Sequence, residues 1–256
     1  MYNVMYLGMK PIGEMCFKYL TANNWKNIAV KSIVSNPNAD SCWWKSNYMY
    51  QFAKEHNIAF VSSEKRNNVE IEKAILENDI NCIICNGYGW ILPENIIDLV
   101  GGNAFNLHLA PLPAYQGNFT YAHAILNGES QYGVTLHYMT ASVDKGDYVF
   151  MPMFDIEDKD TAFSLYTKSL QIGYETFTKL VQLIESGEHI PRHGMIGEEC
   201  FYSRRSVDSL RKIFNPLDQI EIDRKSRAFY FPPFEEAYIE SDSGKKYYVM
   251  PSWTVI

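Results

Sequence analysis

The feature that most constrains this chain is a repeated change of hydrophobic period. NVMYLG (3–8), IAVKSIV (28–34), IAFV (58–61), NCIICN (81–86) and NAFNLH (103–108) read as short strands. Between them lie segments with helical spacing: PIGEMCFKYL (11–20), SCWWKSNYMYQFAKEHN (41–57), NVEIEKAILEN (68–78) and PENIIDLV (93–100). In the first of these, Ile12, Met15, Cys16, Tyr19 and Leu20 keep one face, and Pro11 suits the first helical position. Strands that alternate with helices pair in parallel, because the helix returns the chain to the same end of the sheet. The expected fold class is α/β, a Rossmann-like, mainly parallel sheet with helices on both faces.

The second half continues with a helix around NFTYAHAILNG (118–128) and strands at GVTLHYMT (133–140) and DYVFMPMFDI (147–156). A long amphipathic helix follows over 161–186, with Phe163, Tyr166, Leu170, Phe177, Leu180, Val181 and Ile184 on one face and Gly187 at its end. Beyond it the texture changes. HIPRHGMIGEECFYSRRS is loop-like with room for one strand, and DSLRKI is expected as a short helix. RAFYFPPFEEAYIESDSGKKYYVMPSWTVI is β-rich, with SDSG as a hairpin turn. The expected organisation is a main domain over 1–188 and a small β-rich C-terminal extension over 189–256.

Composition narrows the function classes. A net charge of −7 argues against a nucleic-acid partner, because backbone binding needs dense Lys/Arg surfaces. No apolar run approaches the ~18 residues of a membrane span, and the N-terminus is too short and polar for a signal peptide. A cytoplasmic protein without a membrane partner is expected. Cys16, Cys42, Cys82, Cys85 and Cys200 then read as free thiols, and Cys82–Cys85 as buried strand positions rather than a redox or zinc pair. His189 and His193 lack companion ligands, so no metal site is expected.

The chemistry concentrates in FNLHLAPLPAYQG (105–117). On a strand, residues i and i+2 share a face, so Asn106 and His108 project side by side at the strand's carboxyl end, where open α/β sheets bind ligands. An Asn amide supplies N–H donors for an oxygen gaining negative charge, and a His titrates near neutrality. That pair suits acyl transfer to an amine. An acid should orient the imidazole. Asp144 in TASVDKGDY is the leading candidate and Asp147 the runner-up. Alone, an N-x-H with a distant Asp also fits residues that only close hydrogen bonds. His137, among apolar neighbours on a strand, reads as structural, and His123 as structural or as the edge of a sugar pocket.

NLHLAPLPAYQG, then AILNGESQYGVTLHYM, then SVDKGDYV resembles the run shared by 10-formyltetrahydrofolate-dependent formyltransferases. The shared elements are a strand-borne N-x-H, an LP-x-Y-x-G loop, an NGE-type helix end, and an Asp followed by a G-D pair. The resemblance covers most of the chain and implies a formyltransferase enzyme with 10-formyltetrahydrofolate as co-substrate. It implies Asn106, His108 and Asp144 as the catalytic trio, with His108 or a water taking the amine proton. It also implies a folate pocket lined by Trp90, Ile91 and Leu92 and by Ala141, Ser142 and Val143, largely through backbone groups.

Among the family's branches the chain most resembles the bacterial sugar-nucleotide N-formyltransferases, through RAFYFPPFEEAY and its short acidic extension. The implied acceptor is a nucleotide-linked amino sugar, preferably dTDP-4-amino-4,6-dideoxyglucose or its 3-amino relative, used for surface polysaccharide. A GDP- or UDP-linked amino sugar, glycinamide ribonucleotide and methionyl-tRNA are the alternatives, together with a non-catalytic binding protein. A formyltetrahydrofolate hydrolase typically carries an N-terminal regulatory domain, whereas this sequence opens on its first strand. For the nucleotide, Tyr202, Tyr230 and Phe231 offer aromatic faces, and Lys10, Arg204 and Arg205 offer donors to phosphate. The Gly8–Gly13 loop is expected to turn backbone N–H groups to the ligand. A homodimer through the β-rich tail is also implied.

Overall fold

The computed structural model describes residues 1–38 and 44–253. Ser41, Cys42 and Trp43, and with them the start of the helix expected over 41–57, lie outside the described residues. In chain order the elements are β1 (Tyr2–Gly8), α1 (Lys10–Ala22), β2 (Ile28–Ser35), α2 (Tyr48–Glu55), β3 (Ala59–Ser62), α3 (Asn68–Glu77), β4 (Cys82–Asn86), α4 (Glu94–Asp98) and β5 (Ala104–His108). There follow β6 (Gln116–Gly117), α5 (Thr120–Asn127), β7 (Gln131–Gly133), β8 (Thr135–Tyr138), β9 (Tyr148–Phe150), β10 (Met153–Asp155) and α6 (Ala162–Ser186). The chain closes with β11 (Phe201–Tyr202), α7 (Gln219–Ala228), β12 (Ala237–Glu240) and β13 (Lys246–Val249).

The described residues fall into two compact units that interleave along the chain, where the sequence reading drew one boundary near 188. The first comprises Met1–Leu109, Val134–Pro152 and Leu170–Ile196, and the second Ala110–Gly133, Met153–Ser169 and Gly197–Ile256. The interleaving has a packing cause. Ala122 and Ile125 of α5 and Leu165 of α6 share a buried cluster with Val207, Ile213, Phe229 and Ala237.

The first unit holds a seven-stranded sheet in the order β3-β2-β1-β4-β5-β8-β9. β3 through β5 run parallel, and β8 and β9 are antiparallel additions at one edge. Period-two alternation in β1 explains the helices on both faces. Met5 and Leu7 pack in one cluster with Ile71 and Ile75 of α3 and Ile96 of α4. Tyr6, of opposite parity, packs against Phe17 of α1 with ring centroids 5.2 Å apart and the planes tilted by 52°. Each fully buried Ile or Phe of this kind contributes about 1.5–3 kcal/mol. Gly173 of α6 reaches the same face as α1: a Cβ there would sit 2.7 Å from Leu109 and 3.5 Å from Ile12. All five parallel strands end at one edge of the sheet, at Gly8, Ser35, Ser62, Asn86 and His108.

The second unit has three two-stranded pairs: β6 with β11, β7 with β10, and the β12–β13 hairpin. The expected SDSG turn closes that hairpin, with the Gly244 N–H donating to the Ser241 carbonyl at 2.8 Å and Gly244 at φ +78°. Two expectations are corrected. DYVFMPMFDI is not one strand but two, because Pro152 has no N–H to continue the ladder, so β9 ends the large sheet and β10 pairs with β7. DSLRKI forms turns rather than a helix, and the helix of this region is instead α7. Its start is fixed by Asp218, whose carboxylate accepts from the N–H groups of Ile220 and Glu221. Among the described residues no helix is long and apolar enough to cross a membrane.

Candidate active site

β5 lies inside the sheet, with β4 on one side and β8 on the other, so its backbone is held from both directions. Phe105 and Leu107 are buried, while Asn106 and His108 alternate with them and are half-buried. The antiparallel register places Asn106 directly opposite His137 and His108 opposite Thr135. Residues directly opposite across a strand pair share a face, so the side chains of Asn106 and His137 meet.

Their hydrogen bonds define the geometry. His137 Nδ1 lies 2.8 Å from the Tyr138 carbonyl oxygen, an acceptor only, so Nδ1 carries the proton and donates. In the neutral ring Nε2 then accepts from Asn106 Nδ2 at 3.0 Å. This fixes which end of the Asn106 amide is the nitrogen. One of its two N–H groups is committed to His137. His137 therefore holds Asn106, a contact in keeping with the structural role that its apolar flanks suggested. Its place opposite Asn106 needs the strand register to be seen.

Asp144 completes the cluster. Its Oδ2 lies 3.7 Å from His108 Nδ1 and its Oδ1 3.7 Å from His137 Nε2. One carboxylate thus stands between two imidazoles. The loop from β8 to β9 delivers it in a tight return, with the Tyr138 N–H donating to the Asp147 carbonyl at 2.8 Å. Asp147 thereby ties the loop through its main chain. Gly146 is required here, because a Cβ would overlap the Tyr138 carbonyl oxygen. Asp144 itself adopts φ +54°, a left-handed conformation that Asp tolerates better than most residues.

Around this cluster the strand ends are tightly packed. Cys85 pairs in register with Asn106, and burial pushes its thiol up to about 12. Asn86 Nδ2 donates to the Tyr6 hydroxyl at 2.9 Å, which donates to the Gly13 carbonyl at 2.7 Å. The Met9 N–H donates to the Asn86 carbonyl at 3.2 Å and the Ser35 hydroxyl to the Gly8 carbonyl at 2.8 Å. Gly8 and Met9, which join β1 to α1, are thus fastened to β2 and β4, and the Met9 N–H is spent within the protein. Lys10 to Gly13, expected as loop, are already the first turn of α1.

In the next loop Trp90 is exposed and its indole N–H donates to the Ser63 carbonyl at 3.0 Å. Ile91 is exposed, whereas the Leu92 side chain is buried in the core cluster. Ala141 and Ser142 are exposed, Val143 is half-buried, and the Thr140 hydroxyl donates to the Ser142 carbonyl at 3.0 Å. Cys16, Cys82 and Cys85 are buried free thiols and Cys200 is an exposed one. Among the described residues no group of three His, Cys, Asp or Glu side chains is placed to hold a metal.

The second unit contains the other sequence candidates. The Tyr202 ring is stacked by His123 at 3.9 Å and lies parallel to Tyr115 at 5.5 Å. His123 Nε2 is 2.8 Å from the Ser206 hydroxyl, and burial lowers the imidazole's proton affinity. Phe231 belongs to an aromatic group with Phe163, Tyr166 and Phe234. Tyr230 is half-buried, and its carbonyl accepts from the Phe163 N–H at 3.1 Å. Arg204 and Arg205 are exposed on the turn after β11.

A family model described as formyl transferase matches residues 8–181. The GDP-perosamine N-formyltransferase of Brucella melitensis is 30% identical over 202 residues, which cover 78% of this chain and 76% of that protein. Among solved structures, an N-formyltransferase from Helicobacter canadensis, in complex with folinic acid and dTDP-3-aminofucose, superposes with a TM-score of 0.74 at 24% identity. That likeness covers 95% of this chain and 85% of the other. A 4-N formyltransferase from Francisella tularensis gives a TM-score of 0.79 at 18% identity, covering 100% of this chain and 99% of the other.

Proposed function

The chain belongs to the formyl transferase family, and from that premise we propose that it moves a formyl group from 10-formyltetrahydrofolate to the amine of a nucleotide-linked amino sugar. The observation that supports this best is the meeting of Asn106, His108, His137 and Asp144 at the end of β5. The amine attacks the formyl carbon and a tetrahedral oxyanion forms. It collapses as the bond from that carbon to folate N10 breaks, the amine's proton passes to the leaving nitrogen, and tetrahydrofolate departs. Asn106 serves the oxyanion with the N–H not committed to His137. His108 faces Asp144 through Nδ1 and presents Nε2 to the reacting atoms, donating a hydrogen bond to the oxyanion or managing the amine's proton. Asp144 offsets the positive charge that reaches the ring and holds its orientation. The separation of 3.7 Å is longer than a hydrogen bond, and catalytic contacts that are long without substrate tighten in the Michaelis complex.

The folate co-substrate is assigned to the loops at Trp90–Leu92 and Ala141–Val143, and a phosphate of the acceptor to Gly8 and Lys10. The preferred acceptor is dTDP-4-amino-4,6-dideoxyglucose, destined for surface polysaccharide. A GDP-linked amino sugar is the second reading, favoured by the relative that acts on GDP-perosamine. A homodimer through the β12–β13 hairpin is part of the proposal, supported by the exposed Tyr247, Tyr248, Met250 and Trp253. Incubation with 10-formyltetrahydrofolate and a panel of dTDP-, GDP- and UDP-amino sugars, glycinamide ribonucleotide and methionyl-tRNA tests the function. One amino sugar nucleotide should gain a single carbonyl by mass spectrometry, and formylation of tRNA or glycinamide ribonucleotide alone would reject it. Sedimentation showing only monomer at micromolar concentration would reject the dimer.

A further inference from the structure

We propose that Phe119 and Phe201, both in the second unit, form the aromatic contact that receives the planar base of the acceptor nucleotide. This rests on the reading above of a nucleotide-linked acceptor. Phe119 breaks three local preferences at once. It occupies the N-cap of α5, where Ser, Thr, Asp or Asn is favoured, and supplies no side-chain cap. Its backbone is left-handed, at φ 55° and ψ 26°, which is unusual for a bulky residue. The residue is 43% exposed. Phe201, on β11, is 56% exposed. Conflicts of this kind persist where the surroundings enforce them, and they concentrate at binding sites.

The surroundings do enforce this one. The Gln116 N–H donates to the Cys200 carbonyl at 2.9 Å and the Asn118 N–H to the Tyr202 carbonyl at 2.8 Å. Between them Gly117 stands at φ +90°, where a Cβ would overlap the Tyr202 carbonyl oxygen and lie 3.0 Å from the Phe201 ring. The β6–β11 pair thus fixes the Phe201 ring over Gly117, and Phe119 follows two residues on. Of the three rings expected from the sequence to meet the base, Tyr202 packs against His123 and Tyr115, Phe231 packs in the Phe163 group, and Tyr230 is half-buried. Arg204 and Arg205, both exposed, follow the exposed Phe201 by three and four residues, a pattern that suits a base joined to a pyrophosphate. Stacking on aromatic rings tolerates any base, so this contact provides affinity while leaving the choice of base to other groups.

The test uses Phe119→Gly and Phe201→Ala in the full chain. Each variant should raise KM for the amino sugar nucleotide about tenfold, the loss expected for one stacked base, with kcat and the folate KM unchanged. Phe119→Gly should also unfold at or above the wild-type temperature, since glycine accepts the left-handed backbone. Calorimetry with dTDP and GDP should show weakened binding in both variants, and inorganic pyrophosphate should bind all three proteins alike. Unchanged nucleotide binding, an equal loss for pyrophosphate, or a marked fall in the Phe119→Gly unfolding temperature would overturn the proposal. Nucleotide binding requires no formyl transfer. If the wild type formylates no amino sugar yet loses nucleotide binding in the variants, the functional reading fails and this inference stands. If the wild type binds neither nucleotide at millimolar concentration, both fall.

Discussion

The two units each hold histidine in a largely buried polar cluster, in opposite electrical settings. In the first, His108 and His137 flank the Asp144 carboxylate at 3.7 Å. In the second, His123 is pressed against the Tyr202 ring and the Ser206 hydroxyl, and burial disfavours its charged form. A carboxylate beside an imidazole offsets positive charge that arrives during a reaction. An aromatic ring and a hydroxyl hold a neutral imidazole as a packing and hydrogen-bonding group. Residue type is the same, and the partner decides the chemistry.

The largest effect should come from removing the carboxylate-facing ring. His108→Asn is expected to lower kcat about 100- to 10,000-fold, the range for loss of an acid–base group, with little change in unfolding temperature. Wild-type turnover in that variant would erase the contrast between the units. A smaller loss should follow from disturbing the carboxylate without removing it. Gly146→Ala forces the β8–β9 loop off the Tyr138 carbonyl, which should move Asp144 and cost about tenfold or more in kcat, as misplacement of a catalytic group does. The companion reading is a lower unfolding temperature. A variant with wild-type kcat and wild-type stability would mean the loop tolerates the shift, so Asp144 would not need this placement.

The smallest effect sharpens the other side of the comparison. The unfolded chain takes up a proton at a histidine near pH 6.5, whereas folded His123 resists it. Its contribution is therefore intact above about pH 6.5 and is lost as pH falls below that value, with a slope of at most about 1.4 kcal/mol per pH unit for one proton. His123→Gln should flatten the pH dependence of urea unfolding between pH 7 and 5. An unchanged slope would show that His123 is not held neutral.

Much of the fold was legible because period and punctuation are local. The five parallel strands and their helices follow from runs such as NCIICN and from Pro11, and the SDSG turn from its glycine. Where tertiary pairing competes with pattern, the reading went astray. DYVFMPMFDI reads as one apolar strand, yet its two halves serve different sheets on either side of Pro152. α7 carries its own signal in Asp218 and Glu221, a cap three residues ahead of an acid, that the β-rich impression of the tail obscured.

The sequence by itself determined that an Asn and a His share one face at a strand's end, because strand alternation is a property of the backbone. It determined that a glycine follows Asp144 by two residues, though not why. Only the tertiary structure decided that His137 stands opposite Asn106, that one carboxylate serves two rings, and that the rings of Tyr202 and Phe231 are already engaged. Those facts depend on register and packing between residues far apart in the chain, and no local pattern encodes which strand becomes whose neighbour.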